Sequence, residues 1–431
     1  MQLSTADPTT AVTGAPSGAG DAARVPGGPD ATPRAADRPA AAAAEGFRAA
    51  LDGYRRRFDA ELAAWIEGKR TAWAVELPGA EELPEAVAAL AAGGGKRLRP
   101  ALVESAWRLS TPAADEPPPP AEPPLGVRAL AAAVELLHTY LLIHDDIMDH
   151  APTRRGEPSA WAAFAARHRQ RGWRGEADDF GVTAAILAGD LAHAWANERF
   201  AEACSALPPD AGGARRRAAL AAAFAGTAEE VIGGQYLEIA LGLRGEGTAM
   251  ELARVLRMKS GRYTVERPLE LGALYAGTPP GRARALARYG RAVGEAFQLH
   301  DDVLGTFGEA EEVGKPVGGD LAEGKLTFLV FHALRHAGPE RAGRLRRGLG
   351  RADLEAAEVE EMRATIRDSG ALARVRGMID ERLAAARQSL AEIAAPAAGD
   401  AEDAGAAGPP ADPAALAFLA GLVDYVAERR S

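Results

Sequence analysis

The stretch VRALAAAVELLHTYLLIHDDIMD, residues 127–149, decides the fold of this chain. Its apolar residues recur at intervals of three and four, which places them on one face of a helix. The same apolar approach to a His-Asp-Asp sequence returns in FQLHDDVLG, residues 297–305. From residue 47 onward this periodicity continues, with few β-branched runs and no strand-like alternation. We therefore predict an all-α protein in which two apolar helices end in acidic side chains.

The same pattern predicts the helices and their connections. The predicted helices are 47–73, 82–92, 97–110, 126–149, 157–170, 181–207, 214–242, 248–260, 262–276, 281–305, 321–337, 353–369, 371–395 and 412–430. Residues 1–45 contain no aromatic side chain and few branched aliphatic ones, so we expect a disordered tail. The Pro-rich segment 111–126 and the Ala-rich segment 395–413 are predicted to be flexible loops. Neither loop separates two self-sufficient cores, so residues 46–431 are predicted to form a single domain.

Composition narrows the class of protein. The chain has 431 residues and a net charge of −10, which argues against a nucleic-acid surface because phosphate binding requires clustered positive charge. Its single cysteine, Cys204, excludes an intramolecular disulfide bond and a cysteine-built metal site. The sequence shows no signal-peptide pattern and no apolar stretch of about eighteen residues that would span a membrane. We expect a cytoplasmic protein that is not an integral membrane protein and binds no nucleic acid.

The two acidic sequences are suited to metal binding. Asp145 and Asp149 are four residues apart and share one helix face, while Asp146 lies about 100° round the helix. If the second acidic helix faces the first across a bundle core, Asp301 and Asp302 supply the other half of a cradle. Oxygen ligands of this kind favour Mg²⁺ that is shared with substrate phosphates. A single Asp-Asp pair is as often a solvated helix end, but its recurrence after the same apolar sequence favours a functional site.

Basic residues cluster near both acidic sequences. In GGGKRLRP, Lys96 and Arg99 share the first turn of a predicted helix, a favourable position for an anion. Arg97 and Arg262 are instead expected to form structural ion pairs. The other basic residues predicted to contact an anion are Arg154, Arg155, Lys259, Lys315 and Lys325. This pattern predicts one polyanion bridged to several Mg²⁺ ions and a second polyanion held by side chains alone.

The substrate class follows from the walls around these charges. Apolar helices lead into both acidic sequences, which indicates a hydrocarbon substrate that carries a diphosphate head. The sequence has no Walker-type glycine loop ending in Lys-Ser or Lys-Thr, so we do not expect nucleotide phosphoryl transfer.

The ordered set of motifs resembles one enzyme family, the isoprenyl diphosphate synthases, which are short-chain trans-prenyltransferases. The motifs that carry this resemblance are GGKRLRP, HDDIMDHAPTRRG, GGQYLE, RMKSGRYT, FQLHDDVLG and GKPVGGDLAEGK, and it covers nearly everything from about residue 47 to residue 430. The resemblance implies the isoprenoid synthase fold, a helical bundle with a central cavity between facing aspartate-rich helices. It also implies a homodimer that condenses an allylic diphosphate with isopentenyl diphosphate, with about three Mg²⁺ ions in each site.

The resemblance also implies a role for each matching position. Asp145, Asp149 and Asp301 would bind Mg²⁺, and Asp146 and Asp302 would orient waters around the metal ions. The residues implied to bind the allylic diphosphate are Arg154, Lys259 and Lys325, with Lys315 close by. Those implied to hold isopentenyl diphosphate are Lys96, Arg99, His138 and Arg155. The groups implied to face the allylic cation are Gln298, the Ser260 hydroxyl and the Lys259 carbonyl.

Two positions depart from the family pattern. Gly305 stands where many relatives have a third aspartate, and Asp320 is expected to compensate. Glu238 in GGQYLE is one methylene longer than the usual aspartate. We expect the second change to affect only a supporting contact near the metal ions.

Product length depends on the residues before the first acidic sequence. Tyr140 lies five residues before Asp145, roughly 7–8 Å along the helix and on nearly the same side. Its ring is predicted to form the floor of the hydrocarbon cavity, and a purely structural core role is the alternative. With the non-aromatic Leu141 beside it, the pattern resembles geranylgeranyl (C20) diphosphate synthases. Farnesyl (C15) and longer (C25 and above) products remain open.

Three other functions compete with this one. A class I terpene cyclase shares the fold, but it usually has an Asn/Ser/Glu metal triad that we do not find here and has no need of Lys96 and Arg99. A metal phosphohydrolase of the His-Asp type would use histidines as ligands, whereas His144 and His300 are better explained as packed polar groups. A silent partner subunit of a heteromeric synthase would typically lose the aspartates that this chain keeps.

Overall fold

The computed structural model describes residues 38–110, 122–308, 318–351, 353–395 and 411–428. The helices are α1 (Arg38–Glu76), α2 (Glu82–Ala92), α3 (Leu98–Arg108), α4 (Leu125–Met148), α5 (Ala160–Arg171), α6 (Ala177–Ser205), α7 (Ala211–Arg244), α8 (Ala249–Val255), a π-helix (Leu256–Glu266), α9 (Arg267–Ala276), α10 (Pro280–Phe307), α11 (Gly319–Ala322), α12 (Phe328–His336), α13 (Pro339–Gly348), α14 (Ala356–Asp368), α15 (Ala371–Ala394) and α16 (Pro413–Glu428). A hairpin joins β1 (Thr153–Arg154) to β2 (Glu157–Pro158). The predicted all-α fold is confirmed.

Several predictions fall on parts of the chain outside the described residues. These parts are residues 1–37 of the predicted tail, residues 111–121 and 396–410 of the two predicted loops, and Lys315. The division of the chain at residue 45 therefore stays a prediction. The described residues from Pro39 onward belong to one compact unit.

Three helical segments differ from the prediction. α1 begins at Arg38 rather than at residue 47, because its first turns are rich in alanine, the residue with the highest helix propensity. The predicted helix 321–337 is divided into α11 and α12, since Gly324 between them has a φ of 74°. α13 was not predicted, because its sequence is strongly charged and only three of its residues are buried.

A π-helix replaces the break that was predicted at residue 261. It continues α8 directly into α9, with wider turns than an α-helix. It also packs closely on α10, where a Cβ atom at Gly294 would lie 2.0 Å from the Gly261 carbonyl oxygen. Only glycine fits at residue 294 for this reason. π-Helical turns often occur at functional sites, and this one carries Lys259 and Ser260.

α4 and α10 are the central helices of the two halves of the core. α4 packs along α6, and α10 packs against α15 and the π-helix. Among the described residues, α4 is the one helix long and apolar enough to cross a membrane, but 72% of its most apolar window is buried inside the protein. The expectation that the sequence has no apolar stretch of this length was therefore wrong. Because most of the stretch is buried inside the protein, α4 is a core helix. Both acidic sequences lie at the carboxyl ends of these helices.

Candidate active site

A cavity of about 910 Å³ lies between α4, α7, the π-helix and α10. Asp145 from the first acidic sequence and Asp301 and Asp302 from the second line this cavity together. The other predicted site residues that line it are Lys96, Arg99, His138, Tyr140, Lys259, Ser260, Gln298 and Lys325. α7 adds apolar side chains to the wall, among them Val231 and Ile239. The predicted central cavity between two aspartate-rich helices is confirmed.

The hairpin after α4 places two arginines beside the first acidic sequence. Arg155 and Gly156 form its turn with φ values of 56° and 82°, the positive values that a two-residue hairpin turn of this type requires. Arg154 Nε donates to Asp146 Oδ1 at 2.7 Å, and Arg154 Nη2 lies 3.4 Å from Asp145 Oδ2. Asp146, only 1% exposed, thus holds Arg154 near the cavity. The hairpin was missed in the sequence, although Gly156 is a turn signal.

Four predicted site residues lie beside the main cavity rather than in its wall. Asp146, Arg154 and Arg155 line a neighbouring cavity of about 420 Å³. The fourth, Asp149, is near the main cavity through Lys325, whose Nζ lies 4.0 Å from Asp149 Oδ2.

In the second acidic sequence, Asp302 is held by its neighbour one helical turn earlier. Gln298 Nε2 donates to Asp302 Oδ1 at 2.7 Å. Burial and the nearby Asp320 carboxylate raise the pKa of Asp302 to about 8, against the weaker opposing effect of the Gln298 hydrogen bond. Without a bound cation, Asp302 is therefore largely protonated at neutral pH.

Asp320 occupies the space beside Gly305. A Cβ atom at residue 305 would lie 2.1 Å from Asp320 Oδ2, so the carboxylate takes up the volume that a side chain at 305 would fill. This carboxylate also lies 3.6 Å from Lys325 Nζ and lines the cavity. The compensating role of Asp320 stays a prediction.

The carboxylates are suited to divalent cations, although they are not preassembled as a metal site. In the described part of the chain, no group of three or more His, Cys, Asp or Glu side chains has metal-binding geometry. Lys325 lies between Asp149 and Asp320 instead. Burial and the neighbouring Asp145 raise the pKa of Asp149. With its own carboxylate, three carboxylates (Asp145, Asp149 and Glu323) face two ammonium groups there. Such an excess of oxygen donors fits hard cations such as Mg²⁺.

One group of basic side chains is ion-paired with carboxylates around the cavity. These paired cations are Arg154, Lys259 and Lys325. Lys259 Nζ contacts Glu238 and lies 3.9 Å from Asp145 Oδ1. Lys325 contacts Glu323, and although burial opposes its charge, the neighbouring carboxylates raise its pKa well above the usual value. Each paired cation is thus partly neutralised before any ligand binds.

A second group of basic side chains has no such partner. These unpaired cations are Lys96, Arg99 and Arg155, and among the described residues none of them lies within 4.0 Å of a carboxylate oxygen. Lys96 precedes α3 rather than lying in its first turn, and its Nζ is 5.7 Å from the ring centroid of Tyr425. Burial lowers the pKa of Arg155, whose Nη1 donates to the Gly93 carbonyl at 3.3 Å. The unpaired cations keep their charge available for an anion.

Two other arginines form the structural ion pairs predicted for them. Arg97 Nε donates to Asp59 Oδ1 at 2.6 Å, and its Nη1 donates to Glu135 Oε1 at 2.5 Å. Arg262 contacts Glu230. Both predictions are confirmed.

A tyrosine that the sequence analysis did not single out lies beside Arg99. The Arg99 guanidinium carbon is 4.3 Å from the ring centroid of Tyr263, and the Tyr263 hydroxyl oxygen is 2.6 Å from His138 Nδ1. Arg99 Nη1 is 3.3 Å from His138 Nε2, and Arg99 Nη2 donates to Thr264 Oγ1 at 3.0 Å. Burial and Arg99 lower the pKa of His138 well below its usual value. Tyr263 lies in the quoted motif RMKSGRYT, but spacing alone did not distinguish it from a core residue.

The predicted floor residue Tyr140 lines the cavity within an aromatic group. Its ring stacks on His193 of α6 at a centroid distance of 4.8 Å, and the edge-on ring of His144 is 4.7 Å away. His193 was not predicted, because its contact depends on how α6 packs against α4.

Comparisons with known proteins agree with this geometry. The family model described as polyprenyl synthetase matches residues 80–366. A short chain isoprenyl diphosphate synthase from Methanothermobacter thermautotrophicus is 34% identical over 325 residues, which cover 73% of this chain and 89% of the relative. A (2E,6E)-farnesyl diphosphate synthase from Mycobacterium tuberculosis is 35% identical over 246 residues, 57% of this chain and 58% of the relative.

A solved structure shares both the fold and much of the sequence. It is a geranylgeranyl pyrophosphate synthase from Corynebacterium glutamicum, complexed with isoprenyl diphosphate and magnesium. The two chains are 31% identical with a TM-score of 0.73, and the match covers 87% of this chain and 99% of the other. The relatives carry names with different product lengths, so these names do not assign one to this chain. The chain belongs to the polyprenyl synthetase family, and it is a prenyltransferase of the short-chain isoprenyl diphosphate synthase type.

Proposed function

We propose that the protein condenses an allylic diphosphate with isopentenyl diphosphate, releases diphosphate, and uses Mg²⁺ to do so. The observation that carries this proposal is the presence of two unlike groups of basic side chains around one cavity. The paired cations lie among carboxylates, which suits a metal-bound diphosphate, whereas the unpaired cations suit a diphosphate bound without metal. Two such anion sites beside an apolar wall fit two prenyl diphosphate substrates.

Mg²⁺ would be held by Asp145, Asp149 and Asp301, about three ions in each site, with Asp146 and Asp302 orienting the waters around them. The excess of carboxylates over ammonium groups around Asp149 supports this assignment. When bound, Mg²⁺ stabilises the charge that develops on a departing diphosphate.

The paired cations would act on the allylic substrate. Arg154, Lys259 and Lys325 would bind its diphosphate oxygens, with Lys315 as a further contact, and so assist the breaking of the C–O bond. The resulting allylic cation would face Gln298, the Ser260 hydroxyl and the Lys259 carbonyl. Because Gln298 Nε2 donates to Asp302, the amide oxygen of Gln298 remains available to this cation.

The unpaired cations, with His138, would hold isopentenyl diphosphate so that its double bond attacks the allylic cation. A proton is then lost, and the departed diphosphate is the nearest strong base that the reaction itself provides. Apolar side chains such as Val231 and Ile239 exclude water that would otherwise quench the cation.

We propose geranylgeranyl diphosphate (C20) as the product. Tyr140 lines the cavity and is backed by His193, which supports its role as the floor. Leu141 beside it also lines the cavity but is not aromatic, so one ring rather than two closes the hydrocarbon channel. A farnesyl or longer product is the alternative.

We also propose that the enzyme is a cytoplasmic homodimer, as the family resemblance implies. Outside the cavity, α6 exposes Ile186 and Leu187 and α7 exposes Leu243, which supports an apolar contact surface there. Sedimentation of the purified protein and fractionation of the producing cell test these two statements.

The decisive experiment is a coupling assay. Purified protein is incubated with Mg²⁺, labelled isopentenyl diphosphate and, in turn, dimethylallyl, geranyl or farnesyl diphosphate, and the dephosphorylated products are separated by chromatography. We expect label in a C20 alcohol with at least one primer, and none when EDTA replaces Mg²⁺. Coupling that persists in EDTA, or cyclised products without incorporation of isopentenyl diphosphate, would overturn the proposal.

A further inference from the structure

The Arg99 guanidinium is fixed on three sides without any carboxylate. Its face lies against the Tyr263 ring, and its two terminal nitrogens contact His138 and Thr264. Tyr263 and Thr264 are adjacent residues of the π-helix, so one short segment supplies two of these contacts. Arg99 Nε is buried and has no hydrogen-bond partner among the described residues. The result is a held cation without a carboxylate partner in a cavity wall, which is the arrangement expected of an anion site.

The contacts of His138 determine which of its ring nitrogens carries the proton. Arg99 is always protonated, so its Nη1 must donate, and His138 Nε2 must accept. A neutral imidazole then carries its proton on Nδ1, which donates to the Tyr263 hydroxyl oxygen at 2.6 Å. In this arrangement His138 has no N–H left for a substrate phosphate. Its contribution to anion binding passes through Arg99.

We propose that Tyr263 is a positioning residue of the isopentenyl diphosphate site, which holds Arg99 against its ring and fixes the orientation of the His138 ring through its hydroxyl group. This inference rests on the proposed function. It extends that function, because Tyr263 acts on the second diphosphate site alone. Tyr263 is 6% exposed, and within the described part of the chain it forms no hydrogen bond with Arg154, Lys259 or Lys325.

Two substitutions separate the ring from the hydroxyl group. Tyr263→Phe keeps the ring under Arg99 and removes the acceptor for His138 Nδ1, so we expect the KM for isopentenyl diphosphate to rise about three- to tenfold. Tyr263→Leu removes both contacts and should raise this KM about thirtyfold or more. In both variants the KM for the allylic substrate should stay within about twofold of the wild-type value.

Tyr289→Phe is the matched control. The Tyr289 hydroxyl is also buried and donates to the Leu419 carbonyl, but Tyr289 does not line the cavity. This variant loses one buried tyrosine hydrogen bond without touching Arg99 or His138, and we expect both KM values to remain unchanged. If Tyr263→Leu does not fold, as judged by circular dichroism, Tyr263→Phe carries the test.

Nitrogen NMR of protein labelled at its histidines gives a second readout that does not depend on turnover. The His138 signals, assigned by comparison with His138→Gln, should show protonated Nδ1 and unprotonated Nε2 in the wild type, and the same tautomer with a changed Nδ1 chemical shift in Tyr263→Phe. The inference is overturned if Nε2 carries the proton in the wild type, or if KM values for both substrates rise together. Wild-type protein that couples no isopentenyl diphosphate would instead overturn the proposed function. The NMR result would still test the contacts of His138 with Arg99 and Tyr263.

Discussion

Lys259 and Lys325 of the paired cations line the same cavity as Lys96 and Arg99 of the unpaired cations, yet the two groups differ in what balances their charge. Lys259 and Lys325 contact glutamates and lie near aspartates, whereas Arg99 and Lys96 rest on the rings of Tyr263 and Tyr425. An anion that approaches the paired cations also meets the carboxylates that neutralise them. An anion that approaches the unpaired cations meets uncompensated charge.

From this difference in charge balance we infer which of the two substrates needs Mg²⁺ to bind. Two charges at contact distance near a protein surface interact by a few kcal/mol, so a carboxylate beside a lysine cancels most of its attraction for phosphate. Divalent cations reverse the sign of the charge between the aspartates and make that region attractive to a diphosphate. The unpaired cations need no such reversal. The two halves of the site should therefore respond differently to metal removal and to mutation.

The largest effect is expected on the paired side. Asp301→Ala removes a proposed metal ligand, and we expect kcat/KM for coupling to fall by about 10³-fold or more, as for other losses of charge stabilisation in the transition state. Initial rates with saturating Mg²⁺ measure this loss. Asp368→Ala, which removes an exposed carboxylate paired with Arg341, is the control and should leave the rate unchanged. A rate loss shared by both variants would contradict the assignment of Asp301.

Binding without metal tests the comparison directly. In EDTA, we expect isopentenyl diphosphate to bind with an affinity close to that in Mg²⁺, while a non-hydrolysable allylic diphosphate analogue binds at least about 10²-fold more weakly than in Mg²⁺. Isothermal titration calorimetry measures both. Arg99→Met should weaken metal-free binding of isopentenyl diphosphate by about 10-fold to 10²-fold. Equal dependence of both ligands on Mg²⁺ would abolish the distinction between the two groups of cations.

A change in the hydrocarbon part of the cavity should leave both charged groups intact. Tyr140→Ala removes the proposed floor, and we expect the main product to lengthen by one or more five-carbon units, with the KM for isopentenyl diphosphate within about twofold of wild type. His193→Ala removes the ring behind Tyr140 and should lengthen the product less. Chromatography of the dephosphorylated products distinguishes these outcomes. Unchanged chain length in Tyr140→Ala would reject the floor role and leave Tyr140 as a core residue.

The sequence predicted the long apolar helices well and the short or charged elements poorly. The two central helices were predicted within two residues, as 126–149 and 281–305, because a long apolar face determines burial almost alone. The hairpin and α13 were missed, since a two-residue turn and a charged helix leave little periodicity. The types of site residue were also predictable, because metal and phosphate binding restrict the choice of side chain.

The partners of those residues were not predictable. Lys259 with Glu238 and Arg99 with Tyr263 join elements that are distant in sequence or separated by helix packing. Whether a cation is paired depends on side-chain reach across those elements, and spacing along one helix carries no information about it. Gly305 and Asp320 show the same limit. Only the folded chain reveals that the Asp320 carboxylate fills the space that a side chain at residue 305 would occupy.

The smallest expected effect concerns the stability of the metal-free protein. Asp302 has a pKa of about 8 in the folded chain, whereas an unfolded aspartate has a pKa of about 3.9. Between these values the folded state keeps a proton that the unfolded state has lost. The contribution of Asp302 to stability is therefore fully present below about pH 4, decreases as pH rises toward 8, and changes no further above it.

Asp302→Asn isolates this contribution, because asparagine keeps the shape and does not titrate. In EDTA, we expect the free energy of unfolding of the wild type to fall relative to that of Asp302→Asn by about 2 kcal/mol between pH 6 and pH 7.5. Urea unfolding at the two pH values measures the difference, and the titration of His138 cancels because both proteins contain it. A difference that is independent of pH would mean that Asp302 is already ionised without metal, and that the paired side of the site is less acidic than its carboxylates indicate. Added Mg²⁺ should remove the pH dependence in the wild type, since a bound cation favours the ionised carboxylate.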